Sequence, residues 1–171
     1  GIDVEEPNGN MIIDIGGGDS FLVDHLLKEG YTDITVLDIS EQAIQRAKER
    51  LGNNANTVKW IIADIAEFSP TETYDVWHDR AAFHFLTDVQ NIERYKTAFN
   101  KAISNNGALI LGTFSENGPL KCSGIPIKQY SKEDLIKLTQ PCFKQKELFT
   151  IDHNTPFQSV QNFIFGRFIK Q

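Results

Sequence analysis

The chain has 171 residues, of which 40% are hydrophobic and 23% charged, and a net charge of −6. That length supports one domain with a sizeable core, and the composition is globular rather than disordered or fibrous. Net acidity argues against a nucleic-acid partner, and no apolar stretch approaches the roughly 20 residues of a membrane span. The amino terminus lacks the basic and apolar regions of a signal peptide. Cys122 and Cys142 have no short spacing, which fits neither a zinc site nor a disulfide scaffold. No metal is therefore expected, and a reducing cytoplasm is the expected compartment.

In chain order, the polar run Gly1 to Asn10, with Pro7 and Gly9, predicts a loop. Met11 to Ile13 predicts a short buried strand with Asp14 at its end. Gly16, Gly17 and Gly18 follow, then Asp19 and Ser20, which can cap a helix. A helix is predicted from about Ser20 to Glu29, with Leu22, Val23, Leu26 and Leu27 inward, His25 on the solvated side and Gly30 as its stop. Ile34 to Leu37 is a second strand ending in Asp38. Ser40 then caps a helix in which Ala43, Ile44, Ala47 and Leu51 share a face, and Gly52 ends it. Val58 to Ala63 is a third strand ending in Asp64. Pro70 lies in a loop, and a fourth strand starts at Tyr74 and closes on His78 and Asp79.

Val89, Ile92, Tyr95, Phe99 and Ala102 recur at helical spacing, until Asn105, Asn106 and Gly107 break the pattern. Ala108 to Phe114 predicts a fifth strand. Ser131 and Asp134 form a capping box for another helix, with Tyr130 and Leu135 at staple spacing. Phe143 to Ile151 and Val160 to Ile169 predict an antiparallel pair joined by the turn-rich Asp152 to Pro156. Alternating strands and helices imply an α/β fold, a Rossmann-like doubly wound sheet, made mixed by its closing hairpin.

In such a sheet ligands bind beyond the carboxyl ends of the strands. Asp14, Asp38, Asp64, His78, Asp79 and Thr113 all fall at that edge. A glycine-rich turn alone is also an ordinary tight turn, and lone charges at strand ends are common. Three Asp residues closing three successive strands favour a binding site. Asp38 lies 20 residues after Gly18, the separation that brings a carboxylate to a ribose diol. That spacing suits a nicotinamide dinucleotide and S-adenosylmethionine alike. Two features favour the second. Phe21 stands where the dinucleotide pattern has its last glycine, and its bulk is expected to hinder helix–strand packing. Asp14 is expected to point at the pocket, repelling a pyrophosphate but not an ammonium or sulfonium.

The runs Asp14-Ile15-Gly16-Gly17-Gly18, Val36-Leu37-Asp38-Ile39-Ser40 and Ala63-Asp64-Ile65 resemble the nucleotide-side motifs of class I S-adenosylmethionine-dependent methyltransferases. The resemblance runs from Met11 to Phe168. It implies a seven-stranded mixed sheet with the last strand antiparallel, and S-adenosylmethionine as cofactor. It also implies that Gly16 and Gly18 back the methionine moiety, with Gly17 between them at the cofactor, that Asp38 takes the ribose hydroxyls and that Ile39 packs on adenine. Asp64 would accept from the adenine amino group and Ile65 would offer a backbone N–H. The run Tyr74 to Phe83 resembles the fourth-strand signature of thiopurine-methyltransferase-like enzymes and some protein lysine methyltransferases, in which Asp precedes Arg or Lys and two small residues. Gly112-Thr113-Phe114, Gly118-Pro119, Lys121-Cys122-Ser123-Gly124 and Thr155-Pro156-Phe157 resemble a bacterial methyltransferase subgroup.

Methyl transfer from a sulfonium is an in-line displacement, so the protein mainly aligns the nucleophile and removes water. A base is needed only where the acceptor starts protonated. His78 and Asp79 are the candidate catalytic residues, orienting or deprotonating the acceptor, with His78 also beside the cofactor. The alternative is that Asp79 pairs with Arg80 and His78 caps the strand. Arg80, Phe83, Phe114 and Cys122 are candidate substrate contacts, against the plainer reading of core aromatics and an ordinary loop thiol. His84, between two aromatics, reads as wall or core, and His153 as a surface turn residue. The expected acceptor is a small molecule. A protein lysine methyltransferase, a catalytically silent binding module and a nicotinamide-dependent oxidoreductase are the competing readings. Class I methyltransferases usually carry helices ahead of the first strand, which here starts at about Met11. The chain is therefore expected to be a single domain, residues 1–171, that folds but lacks a lid segment.

Overall fold

The computed structural model describes residues 10–171, so the expected loop Gly1 to Asn10 lies almost wholly outside the described residues. The chain forms β1 (Met11–Ile15), α1 (Leu22–Lys28), β2 (Asp33–Asp38), α2 (Glu41–Leu51), β3 (Val58–Ile62) and β4 (Tyr74–Arg80). It continues through α3 (Val89–Ala102), β5 (Ile103–Phe114), the short pair β6 (Lys121–Cys122) and β7 (Ile125–Pro126), α4 (Lys132–Thr139), β8 (Phe143–Asn154) and β9 (Val160–Lys170). Seven strands make one sheet in the order β3-β2-β1-β4-β5-β9-β8. The first five pair in parallel, and β9 runs antiparallel to both β5 and β8. The expected Rossmann-like mixed sheet with its last strand reversed is therefore what forms.

β1 and β2 read as near-continuous apolar runs because both their faces are covered. Successive side chains alternate between faces. Ile13, Ile15, Leu37, Trp77, Leu109 and Leu111 pack under α3 and α4, with Tyr95, Phe99 and Leu135. Ile12, Ile34, Val36 and Val76 pack on the other face with Val23 and Leu26 of α1. Among the described residues no helix is long and apolar enough to cross a membrane.

Three boundaries differ from expectation. The helix α3 passes directly into β5, and Asn105 to Gly107 form an irregularity rather than a separating loop. Pairing holds at Tyr74 with Ile103, slips, and resumes at Val76 with Ala108, while Asn106 takes a left-handed φ of 67°. The closing hairpin turns later than its turn-forming residues suggest. β8 stays paired through Asn154, and the turn is Thr155 to Ser159, closed by the Thr155 N–H on the Ser159 carbonyl at 2.9 Å. The β6–β7 hairpin was not expected. It turns through Ser123 and Gly124, both at positive φ, a two-residue connection whose dipeptide the sequence displays. Helix α4 carries the expected capping box, with Ser131 and Asp134 each accepting the other's backbone N–H.

Gly112 of β5 faces Phe165 of β9 across the ladder. A Cβ there would lie 2.3 Å from Phe165 Cε1, so the ring occupies the space a side chain would need. Gly112→Ala is expected to cost about 1–3 kcal/mol by overpacking. Urea denaturation checks this; an unchanged midpoint would mean that the ring moves aside freely.

Candidate functional site

The glycine turn after β1 is tied to the end of β2. Gly16 N–H and Gly17 N–H both donate to the Leu37 carbonyl, at 2.7 and 3.3 Å. Gly18 N–H donates to Asp38 Oδ2 at 2.9 Å, while Asp38 Oδ1 accepts from Ser40 N–H at 2.9 Å. Ser40 Oγ in turn accepts from Ala43 N–H and caps α2. The absent Cβ matters differently at each glycine. Gly16 has a φ of +70°, and a Cβ there would meet Ala82 Cβ at 2.7 Å. On Gly17 it would lie 2.3 Å from Asp14 Oδ2, and on Gly18 2.8 Å from Asp38 Oδ2.

Above this turn lies a cavity of about 420 Å³, within the range of small-molecule sites. Its walls are mostly apolar, with Leu37, Ile39 and Ile65 on one side and Ala81, Ala82 and Leu86 on another. Asp38 and Asp64 are the two carboxylates on its wall. Asp64 Oδ1 accepts from Ala66 N–H at 2.9 Å and so shapes the loop after β3. Ile39, an apolar side chain, is 68% exposed at the rim. Ile125 reaches the cavity from the β6–β7 hairpin.

Asp14 and His78 pair across β1 and β4, with Asp14 Oδ1 to His78 Nδ1 at 2.9 Å. Asp14 is buried and its Oδ2 has no partner. The expectation that Asp14 points into the pocket is corrected: it sits behind the glycine turn, on the other face of β1 from the cavity-lining Ile15. His78 keeps 16% of its side chain exposed. Phe21 is also corrected. It is 60% exposed beneath the Arg50 guanidinium, so its bulk obstructs no helix–strand contact.

Asp79 is fully buried. Its Oδ1 accepts from Ala82 N–H and Phe83 N–H, at 3.0 and 3.2 Å, and its Oδ2 accepts from the Tyr95 hydroxyl at 2.6 Å. Tyr95 itself accepts from Trp77 Nε1–H at 3.1 Å. Burial raises the Asp79 carboxyl to about 6, with the Tyr95 and backbone hydrogen bonds opposing that shift. Asp79 therefore holds the turn into the one-turn 3₁₀-helix Phe83–Phe85, and it does not meet an acceptor. It pairs with Tyr95 rather than with Arg80. The turn also needs Ala81 at a φ of 65°, a costly conformation for a non-glycine residue, held by its N–H on the Gly112 carbonyl at 2.8 Å.

The remaining expected contacts divide. Phe83 packs between Tyr95 and Tyr130, and Phe114 against His84 and Phe163, both fully buried, so neither touches a ligand. Cys122 is half-buried and its thiol is pushed up by burial, which disfavours a reactive thiolate. Arg80 is exposed, with its guanidinium 5.1 Å over the Phe163 ring. His84 is buried, with Nδ1 accepting from Phe114 N–H and Nε2 without a partner, and burial lowers its imidazole to about 4. His25 and His153 are exposed. Ala81, Ala82, Leu86 and Ile125 line the cavity without having been expected there. The two small residues after Arg80 were the visible signal for the first pair.

Residues 13–109 match the family model of the methyltransferase domain. The chain belongs to that family. This methyltransferase domain is 34% identical over 108 residues, 61% of the chain, to malonyl-(acyl-carrier protein) O-methyltransferase of Anoxybacillus flavithermus, and the match covers 39% of that relative. The chain thus spans less than half the length of the curated relatives it matches. In fold it is similar to the N-methyltransferase NodS from Bradyrhizobium japonicum WM9 in complex with S-adenosylhomocysteine, with a TM-score of 0.73 and 18% identity over 94% of this chain and 78% of that one. It is also similar to the 1,6-didemethyltoxoflavin-N1-methyltransferase of Burkholderia thailandensis, with a TM-score of 0.74 and 15% identity over 95% and 71% of the two chains. Family and sheet together make this a class I S-adenosylmethionine-dependent methyltransferase domain.

The residues present fit that cofactor. Asp38 and Asp64 each keep acceptor capacity toward an otherwise apolar cavity. The unpartnered Asp14 Oδ2 sets a negative charge behind the glycine turn, which suits a ligand carrying positive charge.

Two outcomes follow from the buried network. Tyr95→Phe strips a donor from Asp79 and an acceptor from Trp77, and should cost about 1–3 kcal/mol in urea denaturation. His84 is neutral in the fold but charged when unfolded between about pH 6.5 and 4, so its contribution is complete above that window and lost as pH falls through it. The stability of the wild type relative to His84→Asn should fall by about 1.4 kcal/mol per pH unit between pH 6 and 4.5. A gap independent of pH would contradict the buried neutral imidazole.

Proposed function

We propose that this chain transfers a methyl group from S-adenosylmethionine to a small-molecule acceptor. The observation that carries the proposal is the Asp38 carboxylate, fixed by Gly18 N–H and Ser40 N–H at the wall of an apolar cavity beyond the strand ends. Asp38 accepts from the ribose hydroxyls, and both its oxygens are already aimed by backbone donors. Ile39 and Ile65 face the adenine ring, the Asp64 carboxylate accepts its amino group, and the Ile65 N–H serves a ring nitrogen. Gly16, Gly17 and Gly18 let the backbone approach the methionine moiety, and the buried Asp14 charge favours its ammonium.

Bound there, the cofactor supplies an electrophilic methyl carbon on a sulfonium. The protein's own task is alignment and exclusion of water, which Ala81, Ala82, Phe85 and Leu86 support by walling the cavity with apolar surface. His78 is the candidate base. Asp14 holds its ring from β1, and part of the side chain stays exposed for contact with the acceptor. Asp79 contributes by holding the turn that carries Ala81 and Ala82. The run Asp79-Arg80-Ala81-Ala82 supports a place near the thiopurine-methyltransferase-like enzymes, as a finer assignment within this reading.

Thermal shift with S-adenosylmethionine, S-adenosylhomocysteine and NAD tests the cofactor. The first two should raise the melting temperature and NAD should not. Asp38→Asn should weaken S-adenosylhomocysteine at least about tenfold, since it removes the charge that receives the ribose hydroxyls. Stabilisation by NAD alone would overturn the proposal. Transfer of labelled methyl from the cofactor into the small-molecule fraction of a lysate should exceed transfer into protein; the reverse would overturn the acceptor class.

A further inference from the structure

We infer that the acceptor carries a carboxylate and that Arg80 recognises it; this rests on the methyltransferase reading of the cavity. Arg80 is the last residue of β4, and the next two, Ala81 and Ala82, line the cavity. The left-handed Ala81 and its hydrogen bond to Gly112 fix the chain immediately after Arg80. Arg80, Gly112 and Phe165 stand in register across β4, β5 and β9. Because Gly112 has no side chain, the Phe165 ring lies over it, stacked at 17° on Phe163, which is the ring that receives the Arg80 guanidinium.

Arg46, Arg50 and Arg167 each engage a carboxylate, Asp19, Asp24 and Glu147 respectively, whereas Arg80 and Arg94 have no ion-pair partner among the described residues, and Arg94 lines a different cavity with Glu93 and Lys101. Among the described residues no carboxylate pairs with Arg80, in a chain whose net charge is −6. An exposed arginine that an acidic chain leaves unpaired, beside a ligand cavity, is positioned for an external anion. The Arg80 guanidinium carbon lies 5.1 Å from the centre of the Phe163 ring. A guanidinium fork matches a planar carboxylate, which accepts two parallel hydrogen bonds. One guanidinium balances one negative charge, which favours a carboxylate over a phosphate. A buried cluster of Phe114, Ile127 and Phe163 supports both places: Ala81 and Phe85 of the cavity pack against it, and Phe163 carries the guanidinium. The acceptor is thus an apolar body against the cavity's Ala81 and Phe85 with an anionic end toward Arg80.

Ligand-observed NMR on the full chain, saturated with S-adenosylhomocysteine, tests the inference with phenylacetate, hexanoate, phenylacetamide and phenyl phosphate. The two carboxylates should bind, and the neutral amide should bind at least about tenfold more weakly. Arg80→Met keeps an apolar stem and should lose about tenfold for the carboxylates while leaving the amide unchanged; Arg80→Lys should recover part of the loss. The shift in melting temperature caused by S-adenosylhomocysteine should persist in Arg80→Met, showing an intact cofactor site. Equal binding of phenylacetate to wild type and Arg80→Met, tighter binding of phenyl phosphate, or no carboxylate binding at all would overturn the inference. Failure of the wild type to bind S-adenosylhomocysteine would instead overturn the methyltransferase reading.

Discussion

The Asp38 carboxylate joins three pieces of chain. One oxygen holds Gly18 in the turn after β1, and the other holds Ser40 at the start of α2. The Leu37 carbonyl, one residue earlier, takes Gly16 N–H and Gly17 N–H. Four backbone donors that a sharp turn and a helix start would leave unpaired are thereby satisfied by the end of a single strand. The same fastening fixes the carboxylate on the cavity wall, so the bonds that stabilise the fold also shape the cavity. Ligand-binding carboxylates left to solvent must be ordered when the ligand arrives; this one is ordered in advance.

A second fastening governs β4. In a buried chain, Trp77 donates to Tyr95 and Tyr95 to Asp79, whose other oxygen accepts from the backbone of Ala82 and Phe83. Burying a carboxyl is costly unless its oxygens are hydrogen-bonded, and here both are. What the network secures is a left-handed alanine and a second alanine pressed toward Gly16. Smallness at Ala82 and at Gly16 is one constraint seen from two strands. On the opposite face of the same strands, Asp14 and His78 pair. Neighbouring residues of β4 thus differ: Asp79 is committed to the interior, while His78 keeps part of its side chain exposed.

Most of the fold was legible because its signals are local. Apolar runs, glycine stops, Ser40, and the Ser131–Asp134 box each announce an element within a few residues. The place of Asp38, Ile39, Asp64 and Ile65 on the cavity wall was legible for the same reason, since they follow strand ends directly. What the sequence hid was side-chain direction. Asp14 and Asp79 occupy strand ends as the pattern implies, yet alternation turns one behind the glycine turn and the other into the core. Phe83 and Phe114 lie near the site in sequence but face inward, and no local pattern separates a pocket aromatic from a core one. The contribution of Ile125 depends on a hairpin meeting a cavity built from residues far earlier in the chain.

The two halves of the site consequently have different origins. The half formed by β1, β2 and β3 is made by short-range geometry, and its residues are few and fixed by backbone donors. The half formed by β4, β5 and β9 is made by long-range pairing, in which Gly112 must be bare for Phe165 to lie flat and Phe163 must lie flat for Arg80 to rest on it. A change on the first half disturbs the turn itself. A change on the second half alters a ring or a charge while leaving the strand ladder in place. The first half therefore sits where the fold tolerates little variation, whereas the exposed Arg80 of the second half can be exchanged at small cost to the sheet.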